Sequence, residues 1–339
     1  MPIVESEINV YRSTTTDPTG TTDGGRFDRT KPITSGALAG LIADINDAER
    51  TAGNERHYKM SFVNEDTENL TFKNAYMFLA FSLLNDVVVS LINGTPTSTW
   101  GDVSANAKMG CGTLATALTA GDQTIVVDTR GAAYDHFNNG DVIAITDSEN
   151  LTTDLNGKLE YVTIDQEPSY AGNQVTLHVS TPIVNSYALT RTGPTIDPLT
   201  TRVASVISYG DVKASLTVGT KVSTAGTYDD AVVGLVVPNA TAIEQVITLT
   251  FDSSSTFTAA SNVPGVTLPS GGTGSTYTSD YIVIPTGFWT GTWANGDTLQ
   301  VTTHAGEMPV HLHVDIPAGA AATAVESFQI WASGATGSS

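Results

Sequence analysis

The chain has one cysteine, Cys111, among 339 residues. That excludes an intramolecular disulfide framework and a cysteine-built zinc site. Charge is also scarce, at 15% of residues against roughly 25% in an average globular protein. What charge there is has one dominant sign: 35 Asp and Glu against 15 Lys and Arg, a net charge of −20. Such a field repels phosphate backbones and anionic lipid, so neither nucleic acid nor a membrane is expected as a partner. The longest apolar stretch, Tyr76 to Ile92, is broken by Ser82, Asn85, Asp86 and Ser90. It is shorter than the roughly 20 residues of a membrane helix and reads as buried core. No cationic start leading into an apolar run and cleavage site is present, so no secretory signal is expected. A soluble product of a reducing compartment follows.

Catalytic signatures are missing as well. Gly157-Lys158 is followed by Leu159, where a phosphate-binding loop needs a hydroxyl. Gly110 and Gly112 lack the third glycine of a dinucleotide fingerprint and lead into strands. Neither a Gly-x-Ser-x-Gly elbow nor a His-Glu-x-x-His pair occurs. No enzyme and no cofactor is expected.

What the chain does have is 40% hydrophobic residues, enough for real cores, and a recurring strand signature. A Gly-Asp pair precedes β-branched or alternating runs at Gly121-Asp122, Gly140-Asp141, Gly210-Asp211 and Gly296-Asp297. Glycine accepts a positive φ and aspartate caps the turn, which is hairpin chemistry. The expected fold is mainly β. Residues 1–31 read as an extended polar arm that orders on a neighbour, so that deleting it leaves a folded monomer. Residues 32–110 read as a small α+β domain. Its one helix is expected from Leu38, Leu41, Ile42 and Ile45 at i, i+3, i+4, i+7, with Ser35 as N-cap and Gly53 as stop. Residues 111–211 read as a central β-barrel-like module, and residues 212–339 as a C-terminal Ig-like β-sandwich.

Four groups of residues are candidates for binding. Thr152, Asp154, Asn156 and Gly157 superficially resemble a calcium loop, but Thr152 and Thr163 stand where carboxylates are needed, so an Asn-Gly turn is the better reading. His311 and His313 lie two apart on a predicted strand, with both rings on one face. Two imidazoles are too few for a closed metal site, but three such pairs around a threefold axis would supply six nitrogens. The alternative is a polar outward face opposite Leu312 and Val314. Trp289 and Trp293, four apart around Gly291, suit either a glycan-contacting edge or sandwich core. Arg26, Arg29 and Lys31 form the densest basic patch, a solvated loop or a contact for an acidic neighbouring subunit.

Several segments together resemble virion structural proteins of tailed bacteriophages. At the C-terminal end these are Phe288-Trp289-Thr290-Gly291-Thr292-Trp293-Ala294-Asn295-Gly296-Asp297-Thr298, then Met308-Pro309-Val310-His311-Leu312-His313, then Ile316-Pro317-Ala318-Gly319-Ala320. At the start they are Glu7 to Ser13, Gly24-Gly25 and Ala48 to Gly53, and in the middle Ala120-Gly121-Asp122 to Ile143. The resemblance implies a non-enzymatic assembly protein made in the host bacterial cytoplasm and residing in the virion. It would be a neck, collar, decoration or tail component that forms homo-oligomers and contacts portal, capsid or tail proteins. A carbohydrate- or receptor-binding virion module, using the sandwich edge at Trp289 and Trp293, is the alternative. His311 and His313 belong to no motif that the resemblance supplies.

Overall fold

The computed structural model describes residues 3–34, 41–42, 44–82, 87–129, 136–151, 153–321 and 328–337. The chain is mainly β, in antiparallel sheets joined by turns, with two short α-helices among the described residues, α1 (Asp47–Ala52) and α2 (Trp100–Val103). Three of the Gly-Asp pairs form the expected turn. Gly121, Gly140 and Gly296 have φ of 103°, 90° and 88°. The aspartate that follows each accepts the backbone N–H three residues earlier, from Thr119, Asn138 and Ala294. The fourth differs: Gly210-Asp211 lies inside the strand Arg202–Val212, where the register with Thr71–Ser82 slips on both sides of Gly210. There the same residue types make a bulge, because the chain continues in one direction.

The chain order and the spatial order disagree. The first sheet has five strands in the order Gly24–Pro32, Ile8–Thr15, Asn54–Asn64, Glu307–Ile316, Val88–Asn93. A strand from the last tenth of the chain therefore sits between two from the first third. Likewise Phe328–Gly337 pairs with Thr71–Ser82 at the edge of the nine-stranded sheet. The sandwich is accordingly an insertion. It occupies the chain between Val212 and Glu307, and the last two long strands return to the N-terminal body. This revises the expected C-terminal unit of residues 212–339. The cause is long-range pairing that no local pattern encodes.

The expected arm is also different in kind. Ile8–Thr15 pairs with Asn54–Asn64 from Ile8 opposite Asn64 to Arg12 opposite Met60, and Gly24–Pro32 pairs with Ile8–Thr15. Ile8 and Val10 pack on the N-terminal core, while Phe27 is buried in the sandwich core. Residues 8–32 are thus a hairpin of this chain's own sheet, and deleting them removes two of its strands.

Among the described residues the helix of this region is Asp47–Ala52, after the apolar period. Ser35 and Leu38 lie outside the described residues; Leu41, Ile42 and Ile45 pack on the core without helical structure. The helix that forms, α1, starts at a capping box in which Asn46 and Glu49 exchange side-chain-to-backbone bonds, and it stops at Gly53 with φ 80°.

The central module wraps around a core of Ile125, Val127, Ile143, Ile145, Val162, Val175, Leu177, Val203 and Tyr187. Its strands run in a ring that is completed only by an isolated bridge, Ile164 to Val179. It is barrel-like in packing but not a closed barrel. The sandwich packs the sheet Ser215–Val222, Thr298–His304, Gln245–Phe251, Thr256–Ser261, Gly271–Gly272 against two short ladders. In Thr298–His304 every second residue, Leu299, Val301 and Thr303, is buried, the period expected of a strand with one covered face.

Candidate functional site

The densest group of chemically able side chains lies on one face of the first sheet. Met308, Val310, Leu312, Val314 and Ile316 turn to the apolar core with Tyr58 and Met60. The alternate residues therefore point the other way. Register places His313 opposite His57 and His311 opposite Lys59 on one side, and His313 opposite Ser90 on the other. This second face is not open. His57, Lys59, Ser90, His311 and His313 are all buried.

A roof covers them, built from the turn 17–25 and the segment 94–103. Gly25 N–H donates to Ser98 O at 3.0 Å, Trp100 N–H to Asp23 O at 2.7 Å and Gly101 N–H to Thr21 O at 2.9 Å. Gly24 sits at φ 136°, and a Cβ there would stand 2.4 Å from Ser98 O, so only glycine permits this approach. Thr99 and Asp102 cap α2.

Between floor and roof the Trp100 indole stacks parallel to two imidazoles. It is 4.3 Å from His57 with 3° between planes, and 5.4 Å from His313 with 2°. His311 bonds through Nε2 to Ser98 Oγ at 3.0 Å, and its Nδ1 has no partner. His136, also buried, meets Ser90 Oγ at 2.9 Å. Lys59 Nζ donates into four carbonyl oxygens of the roof, Gly25, Thr95, Pro96 and Ser98, at 2.6, 2.8, 2.9 and 3.0 Å. Asp23 accepts the Lys59 and Asp17 backbone N–H groups. The ammonium is thus the peg that fixes both roof segments to the sheet.

Burial governs the titration of these groups. Loss of water drives the His311 imidazole down to about 3, aided by the Lys59 charge. It drives His136 down to about 4. His313 is lowered for the same reason, against the pull of Glu55, whose Oε2 lies 3.3 Å from its Nε2. Burial lowers Lys59 and raises Glu307, while their opposite charges hold each toward its ionised form. At neutral pH the Lys59 charge stands beside neutral imidazoles at His136, His311 and His313. All of these groups are enclosed between the sheet and the roof.

The metal expectation for His311 and His313 fails on geometry. The pair does share a face, but both rings are fully buried under the roof, so they cannot meet their copies at a symmetry axis. Among the described residues no group of three His, Cys, Asp or Glu is placed to hold a metal. Of the calcium-like loop, Thr152 lies outside the described residues, and the Asp154 carboxylate is engaged by Arg191.

The glycan expectation fails as well. Trp289 and Trp293 are buried in the sandwich core, Trp293 stacked on Phe251 at 4.3 Å and Trp289 edge-on to it at 5.6 Å. Neither offers a ring to a sugar.

Two of the three basic side chains, Arg29 and Lys31, bond within the chain. Arg29 Nε donates to Glu65 at 2.9 Å and its Nη2 to Ala242 O at 3.2 Å, tying the hairpin to the sandwich. Lys31 Nζ donates to Thr14 O at 2.8 Å, and Arg26 Nε is buried without a hydrogen-bond partner.

His57, Lys59, Trp100 and Asp23 were not singled out from sequence. One signal was present: in His57-Tyr58-Lys59-Met60-Ser61-Phe62 apolar and polar residues alternate as in Pro309 to Val314. The pairing of strands some 250 residues apart was not.

A different kind of surface closes one end of the central module. Arg191 reaches Asp147 and buried Asp154, and Glu149 accepts the backbone N–H groups of Thr195 and Ile196 at 2.8 and 3.0 Å. The turn held this way presents Leu155 at 93% exposure, with Leu151 and Leu189 also exposed. On the inserted sandwich, Val233 is 94% exposed. Comparison of the chain with protein-family models, with curated proteins and with solved structures finds no match.

Proposed function

We propose that this chain is a non-enzymatic structural protein of a tailed-phage virion, a neck, collar, decoration or tail component that assembles through repeated contacts between copies and with neighbouring virion proteins. The observation that carries the reading is the pair of apolar tips, Leu155 on the central module and Val233 on the sandwich. Leu155 stands in water on a turn tied by the Arg191–Asp154 ion pair, so that turn is ordered before contact. The sequence resemblance supplies the class, and the interwoven first and last strands suit a part that must bear load as one body. The hairpin 8–32 is internal to this body, so the contacts are assigned to the tips and not to an arm.

The test is the mass of the purified protein in solution by light scattering, at low and high concentration, with the Leu155→Asp and Val233→Asp variants beside it. A defined oligomer that at least one variant dissociates supports the reading. A monomer at every concentration, with both variants identical to the parent, removes its support.

A further inference from the structure

We propose that the roof formed by residues 17–25 and 94–103 is a proton-operated latch: acid charges imidazoles enclosed beneath it, the roof lifts from the sheet, and the polar floor around Lys59 becomes exposed. The inference stands on the geometry of the enclosure and is independent of the virion assignment.

The latch has three parts. Its peg is the Lys59 ammonium, which holds carbonyls from both roof segments. Its seam is the set of backbone bonds by which Gly25, Trp100 and Gly101 join one segment to the other. Its trigger is the pair His311 and His313, packed with His57 around Trp100.

The His311 and His313 rings are shut away from water in the closed state and meet it in the open one. An imidazole that is hydrated only when the roof is open takes its proton there, so proton uptake favours opening. The charged groups around the pair do not prevent this. From the strand Asn54–Asn64 come Glu55 and Lys59, and from Glu307–Ile316 come Glu307 and Asp315. The roof brings Asp17, Asp23 and Asp102, and the flanking segments bring Lys108 and His136. Of the carboxylates, Asp23 is committed to backbone N–H groups and Asp102 to capping α2. Glu55 lies against an imidazole, its Oε2 3.3 Å from His313 Nε2. The face of Trp100 can favour one cation, but His311 and His313 both pack on that ring, and His311 lies opposite Lys59. Accumulating charge in that space therefore drives it open.

The sign is fixed by the direction of the shifts. His311, His136 and His313 are held below their ordinary value when enclosed. The closed state is fully favoured above about pH 6.5 and loses ground as pH falls below it, the opening constant rising about tenfold per pH unit for each imidazole that titrates only when open.

Hydrogen exchange of the full chain between pH 7.5 and 4.5, corrected for the intrinsic pH dependence of amide chemistry, tests this. The amides of Gly25, Trp100 and Gly101 are expected to lose protection by at least about tenfold per unit below pH 6.5, while those of Leu249 and Val301 in the sandwich keep theirs. The double variant His311→Gln, His313→Phe keeps a partner for Ser98 and a flat ring on Trp100. It is expected to flatten the roof's pH response. If that variant does not fold, the wild-type profile decides alone. Roof protection that is unchanged down to pH 4.5, or that falls only together with the sandwich, overturns the proposal. So does a folded double variant with the full wild-type slope.

Discussion

The sandwich core and the polar face of the first sheet are both buried, yet they are built from opposite materials. The sandwich encloses Phe251, Phe257, Phe288, Trp289 and Trp293 in ring-on-ring contact. The sheet face encloses a lysine, three histidines and a tryptophan under loops fixed by hydrogen bonds. Apolar burial does not depend on protonation, whereas a buried ionisable group couples stability to pH. One interior is therefore built of apolar rings and the other around ionisable groups. The difference also separates two kinds of failure, cavities in the first and unsatisfied polar groups in the second.

Substitutions on each side sharpen the contrast. Trp293→Ala is expected to cost about 3–5 kcal/mol by leaving a cavity against Phe251, equally at pH 7 and pH 5, measured by urea unfolding. Lys59→Met removes the donor for four carbonyls and leaves Glu307 without its opposing charge. A loss of about 3 kcal/mol is expected, with the exchange of the Gly25 and Trp100 amides rising far more than that of Leu249. Equal loosening of both regions would break the distinction. His311→Gln is expected to cost about 1 kcal/mol at pH 7, since the glutamine can still meet Ser98. Its sharper effect is on slope: stability should fall less steeply from pH 6.5 to 4.5 than in the parent, because one depressed imidazole is gone. Glu49 sharpens the comparison from the acid side. Its hydrogen bonds to Arg56 hold its carboxyl down to about 2. A depressed carboxylate stabilises above its unfolded value and is lost as pH falls from about 4.5 toward 2, below most of the window in which the imidazoles act. The Glu49→Gln variant should therefore leave the pH 6.5 to 5 slope unchanged, as read by unfolding midpoints. The smallest effect is on Leu155→Asp, within about 0.5 kcal/mol of the parent.

Local patterns in the sequence carried the fold class and much of the sandwich. The turn chemistry of Gly140-Asp141 and Gly296-Asp297 and the alternation of Leu299 and Val301 are contained within a few residues. What could not be read was partnership across the chain. Glu307 to Ile316 has the alternation of a half-exposed strand, and an outward polar face was the natural reading for His311 and His313. Only the pairing with Asn54–Asn64 and the roof over both strands makes that face an interior. The basic patch at Arg29 was visible, while its acceptors Glu65 and Ala242, 36 and 213 residues away, were not. The helix misplacement has a local cause: the apolar period at Leu41 and Ile42 serves packing without helical structure, and the capping box at Asn46 and Glu49 decides where the helix starts.

One measurement compares the two interiors directly. Labelled with fluorotryptophan, the protein carries one probe at the latch, Trp100, two in the sandwich core, Trp289 and Trp293, and a fourth at Trp331. Fluorine NMR spectra recorded from pH 7.5 down to 4.5 should show the Trp100 resonance shift and broaden below about pH 6.5, while those of Trp289 and Trp293 stay in place. A Trp100 resonance that does not move, or that moves only when all the others do, would contradict a protein with one interior governed by protons and one indifferent to them.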